Sequence, residues 1–132
     1  MPAPVNRILY VEDEPDIRTI AQMALEAVGG FTVIACASGS EALAAAPGAA
    51  ADLLLLDVMM PGMDGPSTLQ ALRQLPATTS TPVIFMTAKV QPAEVAQYKA
   101  LGALGVIAKP FDPMELPAQI RQICDSPSMA AC

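Results

Sequence analysis

Apolar residues fall along this chain in short runs, and helical spacing fills the stretches between them. "RILYV" (7–11), "TVIAC" (32–36), "LLLL" (53–56), "PVIFM" (82–86) and "GVIA" (105–108) have strand length and predict five strands. Ile17, Ile20, Ala21, Ala24 and Val28 recur at helical spacing, so 15–28 reads as a helix with Pro15 in its first turn and Gly29-Gly30 at its end. "SGSEALAAA" (38–46) opens on serines and reads as a short helix. A helix over 66–75 places Leu69 and Leu72 on one face, and another over 92–101 stops at Gly102. The last helix, 112–124, has Asp112 as N-cap, Pro113 first and Glu115 third, a capping-box-like start. Pro117 then predicts a kink, or a regular helix that begins nearer Pro117.

The strands are continuously apolar rather than alternating, as expected when both faces of a parallel sheet are covered. With right-handed crossovers this predicts a doubly wound α/β fold, a five-stranded parallel sheet with five helices. Residues 1–125 read as one domain, and 126–132 as a frayed tail.

Composition narrows the function. Of 132 residues, 53% are hydrophobic and only 4% aromatic, so Leu, Ile, Val, Met and Ala must fill the core. The net charge of −6 argues against a nucleic-acid partner, since phosphate binding needs clustered cations. The absence of His removes His-based catalysis and His-ligated metals. Cys36, Cys124 and Cys132 form neither a CxxC pair nor an even set, which fits a reducing cytoplasm. "MPAPVNR" lacks the apolar core of a secretion signal, and no apolar run reaches the length of a membrane span.

In such a sheet, ligands bind beyond the carboxyl ends of the strands. Glu12 and Asp13 follow the first strand, Asp57 the third, Thr87 the fourth and Lys109 the fifth; at the end of the second stands only "CASG". Four strands therefore deliver polar groups to one edge, and the second reads as an edge strand remote from them. Two like charges about 4 Å apart cost roughly 4 kcal/mol at an effective dielectric near 20. One lysine does not offset three acids. A hard divalent cation does, and Mg²⁺ suits a site with few carboxylates, waters and phosphate oxygens.

"LYVEDE", "LLLLDVMMPGMDG", "VIFMTA" and "IAKPF", in that order and spacing, resemble the response-regulator receiver domain of two-component signalling, over residues 6 to about 124. The resemblance implies a flavodoxin-like sheet of order 2-1-3-4-5. It implies that Asp57 accepts a phosphoryl group from a phosphohistidine on a sensor histidine kinase or histidine phosphotransfer protein. It implies that Asp13, Asp57 and the backbone carbonyl of Met59 hold Mg²⁺, with Glu12 acting directly or through water. Lys109 would pair with Asp57 and then with the phosphoryl oxygens, Thr87 would offer its hydroxyl to the phosphoryl group, and the Lys109–Pro110 bond would be cis. No output domain follows in the chain, so the expectation is a stand-alone receiver, monomeric or weakly dimeric, that signals by binding a downstream target protein. It would be a phosphoacceptor that assists its own phosphorylation and dephosphorylation rather than an enzyme in the ordinary sense. One position departs from the family pattern: Val106 stands where Tyr or Phe is usual, three residues before the lysine.

Taken singly, these residues have ordinary readings: a helix cap at Glu12-Asp13, a turn cap at Asp57, a surface charge at Lys109. Together at one sheet edge they read as a site. A haloacid-dehalogenase-like phosphatase would need a second acid where Met59 stands, and a nucleotide-binding loop would not carry "EDEP" after the first strand. A degenerate receiver that binds proteins without phosphorylation is the alternative within the family. Tyr98 and Lys99 read as a partner face or a solvated one.

Overall fold

The four leucines of 53–56 are all fully buried, and they face two different cores. Side chains alternate across a strand, so Leu54 and Leu56 join one apolar cluster and Leu53 and Leu55 the other. A strand that is apolar at every position is what a sheet covered on both faces requires. The computed structural model describes residues 5–125 of the 132-residue chain; the expectation of a frayed tail at 126–132 lies outside the described residues.

The elements alternate: β1 (Arg7–Val11), α1 (Pro15–Met23), β2 (Thr32–Cys36), α2 (Gly39–Ala49), β3 (Leu53–Asp57), α3 (Gly65–Leu72), β4 (Val83–Thr87), α4 (Pro92–Ala100), β5 (Gly105–Ala108) and α5 (Leu116–Cys124). All pairings are parallel, in the order β2-β1-β3-β4-β5, as expected. Ala21 of α1 and Leu116 and Ile120 of α5 pack on one face with Ile8, Tyr10, Leu53, Leu55, Ile84 and Met86. Ala42 and Ala46 of α2 and Leu69 and Leu72 of α3 pack on the other, and Tyr98 of α4 joins them there.

Three elements differ from their sequence reading; one is α3, read over 66–75, which ends at Leu72. The first helix does not run regularly to Val28: residues Ala24–Val28 form a π turn, with Gly29 N–H bonded to Ala24 O at 3.1 Å, five residues back. The wider turn shifts the helical phase. Leu25 faces the core and Val28, read as part of the inward face, is 48% exposed; Ile20, upstream of the turn and also read as inward, is 48% exposed as well. In α2 the expected serine cap is present, with Ser38 accepting from Glu41 N–H and Glu41 accepting from Ala37 N–H. The helix runs on past the expected end at 46 to Ala49, with Pro47 inside it.

α5 begins at Leu116 rather than Asp112, the second of the two outcomes expected from Pro117. Pro117 decides this. It sits in the first turn, where its missing N–H costs nothing, whereas an upstream helix would meet its ring. Asp112 caps a turn instead: its side chain accepts from Met114 N–H at 2.9 Å, and its carbonyl from Glu115 and Leu116 N–H.

Candidate functional site

Four strand ends meet at the carboxyl edge of the sheet. β1 leads into Glu12 and Asp13, β3 ends on Asp57, β4 ends on Thr87, and Lys109 follows β5. The central strands hold these tips rigidly, because a core side chain packs on each face just behind them: Tyr10 and Val11 behind Glu12, Leu55 and Leu56 behind Asp57. Register then sets their relative depth. Val11 pairs with Leu56 and Asp57 with Met86, so Glu12 and Asp57 emerge side by side.

Glu12, Asp13 and Asp57 each place a carboxylate oxygen within 4.8 Å of the other two. Glu12 is fully buried, Asp57 is 2% exposed, and Asp13 is half-buried. Lys109 Nζ donates to Glu12 Oε1 at 2.8 Å and lies 3.2 Å from Asp57 Oδ1. The expected Lys109–Asp57 pair is therefore present, but Glu12 holds the lysine more closely. Burial pushes the Asp57 carboxyl up to about 7, Glu12 adds to the rise, and Lys109 opposes it. Burial pulls the Lys109 ammonium down, but its bond to Glu12 and the charges of both acids outweigh this and hold it above its usual value. The acids thus exceed the cation available, and a cluster of hard oxygen donors of this kind fits Mg²⁺.

The remaining expected residues lie around this cluster. Thr87 is buried, and its hydroxyl accepts from Lys89 N–H at 3.1 Å, so it bonds its own loop. Its carbonyl accepts from Lys109 N–H, which ties the ends of β4 and β5 together. Met59 stands two residues past Asp57 in the loop, with its side chain 64% exposed. That loop folds back tightly: Gly65 N–H bonds Val58 O at 2.9 Å, and a Cβ at Gly65 would lie 2.6 Å from Asp57 O. The Lys109–Pro110 bond is cis, as expected. Val106 pairs with Phe85 in the sheet.

Two residues here were not singled out in the sequence. Tyr10 is fully buried, with its hydroxyl 3.5 Å from Glu12 Oε1. Arg18 Nη1 donates to Glu12 O at 2.8 Å. The signal for Tyr10 was strand parity, since residues 10 and 12 share a face. Arg18 lies on α1, and only the folding of that helix over the β1 end brings it to Glu12. Tyr98, read as part of a partner or solvated face, is half-buried instead and packs on Phe85, ring centroids 5.4 Å apart.

A family model described as the response regulator receiver domain matches residues 8–121. The chain is 42% identical over 119 residues to the transcriptional regulatory protein CpxR of Escherichia coli, covering 90% of this chain and 49% of that protein. It is 37% identical over 126 residues to the alkaline phosphatase synthesis transcriptional regulatory protein PhoP of Bacillus subtilis, covering 96% and 51%. Among solved structures, the chemotaxis protein CheY4 of Vibrio cholerae superposes with a TM-score of 0.82 at 32% identity, covering 91% of this chain and 99% of that one. The chain spans about half the length of the curated relatives it matches. Those two relatives are named as transcriptional regulators, which the expectation of no nucleic-acid partner does not fit cleanly. No helix among the described residues is long and apolar enough to cross a membrane.

Proposed function

The chain belongs to the response-regulator receiver family of two-component signalling proteins, and from that premise we propose that it accepts a phosphoryl group on Asp57 from a phosphohistidine. The observation that carries this reading is the placement of Asp57: it is buried at a rigid strand tip, 3.2 Å from a lysine and inside a cluster of carboxylates. A carboxylate oxygen of Asp57 attacks phosphorus as the P–N bond breaks, and the bonding pair leaves with the imidazole nitrogen of a sensor kinase or phosphotransfer protein. Lys109 neutralises charge on the phosphoryl oxygens, and the Thr87 hydroxyl turns from Lys89 to donate to one of them.

Asp13, Asp57 and the Met59 carbonyl would hold Mg²⁺, with Glu12 beside them. The ion supplies charge neutralisation between the acids and the incoming phosphoryl oxygens. The same residues assist later hydrolysis of the acyl phosphate. Output passes by phosphorylation-dependent binding of a target protein, and a cytoplasmic location accords with it.

Incubation with radiolabelled acetyl phosphate and Mg²⁺ tests this. The wild type takes up acid-labile label that hydroxylamine also releases, and Asp57→Asn takes up none while melting cooperatively. Full labelling of Asp57→Asn removes Asp57 from the role. A folded wild type that takes no label leaves the phosphorylation-independent binding module as the reading.

A further inference from the structure

We propose that Tyr10 is a positioning residue for phosphoryl transfer: from beneath the acid cluster its hydroxyl fixes Glu12, and Glu12 in turn fixes the Lys109 ammonium beside Asp57. The inference rests on Asp57 being the phosphoacceptor.

Tyr10 lies in β1, with Ala35 of β2 and Leu55 of β3 as its neighbours across the sheet. It has no exposed surface and packs in the core under α1 and α5. A buried phenol O–H takes a partner, because an unmade hydrogen bond there is costly. Its acceptor is Oε1 of Glu12, at 3.5 Å. That separation is long for an O–H···O bond, and contacts of this kind tighten when a site is loaded.

The same Oε1 also receives Lys109 Nζ at 2.8 Å, and Oε2 receives Glu14 N–H at 3.3 Å. Arg18 clamps the Glu12 carbonyl. Glu12 is therefore held at its main chain and at both side-chain oxygens. Three donors of this chain reach its carboxylate, so Glu12 seats the lysine while it stands in the acid cluster with Asp13 and Asp57.

This seat matters because a lysine is a point charge on a flexible four-carbon stem. Held only by Asp57, it would form an ion pair that must break when the Asp57 oxygen bonds phosphorus. Held by an immobile Glu12, it stays next to Asp57 without being committed to it, and a short movement brings it to the phosphoryl oxygens. Misplacement of such a group by about 1 Å is enough to slow a reaction strongly. Tyr10 supplies the immobility from the buried side.

Two variants separate the hydroxyl from the ring. Tyr10→Phe keeps the packing and removes one oxygen; Tyr10→Leu removes the ring as well. The measurements are the phosphorylation rate at saturating acetyl phosphate, the half-saturating donor concentration, Mg²⁺ affinity by calorimetry, the melting temperature, and the Lys109 ¹⁵Nζ signal of the metal-free protein. In Tyr10→Phe the saturated rate falls about tenfold, the half-saturating donor concentration and Mg²⁺ affinity stay within about twofold, and the Lys109 signal moves. Tyr10→Leu loses the same rate but also melts lower.

A Tyr10→Phe protein with the wild-type rate overturns the proposal. So does a Mg²⁺ affinity that falls by the same factor as the rate, which would make Glu12 a metal ligand first. A wild type that takes no label, or an Asp57→Asn variant that keeps it, overturns the phosphoacceptor reading and this inference with it. That failure is told apart from the first two because it appears with Tyr10 intact.

Discussion

At the scale of single residues, Asp57 carries a conflict between fold and function. Its carboxyl is pushed up to about 7 from an ordinary 3.8, so the fold prefers it protonated. The stability this preference brings is complete below about pH 4 and is lost as pH rises through about 7. Asp57→Asn, uncharged at every pH, should therefore be more stable than wild type in metal-free buffer at pH 8, on the order of 2–4 kcal/mol, with little difference at pH 4. Urea unfolding in chelator at both pH values checks this, and an Asn variant weaker at pH 8 would contradict the assigned charge conflict. Cys36 shows burial dominating a thiol, with Glu41 adding to the rise and Arg18 opposing it. It is 3% exposed and raised to about 11, mainly by desolvation. Thiol reagents at pH 8 should leave Cys36 unmodified in the native protein and modify it on denaturation, as peptide mapping would show.

At the scale of elements, α4 is held to the sheet by little buried surface. None of its residues is buried, and Tyr98, stacked on Phe85, is its side chain packed against the core. Phe85 stands two residues before Thr87 on the same face of β4 and pairs with Val106. Tyr98→Ala should accelerate amide exchange across 92–100 by about tenfold while β1 and β3 keep their protection. Unchanged exchange in α4 would show that other contacts hold it. Val106 is β-branched and too short to swing between surface and interior. Binding of beryllofluoride, a phosphoryl mimic, should thus shift the amides of 88–92 and the start of α4, with small changes at Val106 and Ile107. Large shifts at Val106 with a quiet loop would place the switch in β5 instead.

At the scale of the whole molecule, the carboxyl edge gathers charge that the rest of the fold must tolerate. Binding of Mg²⁺ to the native state alone should stabilise it by about 2.7 kcal/mol at one hundred times the dissociation constant. The gain should be read as a rise in melting temperature that shrinks sharply in Asp13→Ala. A melting temperature indifferent to tens of millimolar Mg²⁺ would count against the cluster as a cation site.

Much of this was legible in the sequence, because the determinants were local. Runs such as Leu53–Leu56 require a sheet with two covered faces, and their alternation with helical stretches leaves a parallel doubly wound fold. Parallel strands all point one way, so the residue after each strand is delivered to a common edge, and Glu12, Asp13, Asp57, Thr87 and Lys109 could be gathered without coordinates. Helix ends were less legible. For α5 the sequence left two starts open, and the structure takes the one beside Pro117, at Leu116; the π turn at Ala24–Val28 was not read from the sequence at all. Only the tertiary structure decided which acid holds the lysine. Register and burial set side-chain distances to within an ångström, and strand pattern sets only the edge. That difference placed Lys109 at 2.8 Å from Glu12 and 3.2 Å from Asp57, with the Tyr10 hydroxyl beneath them.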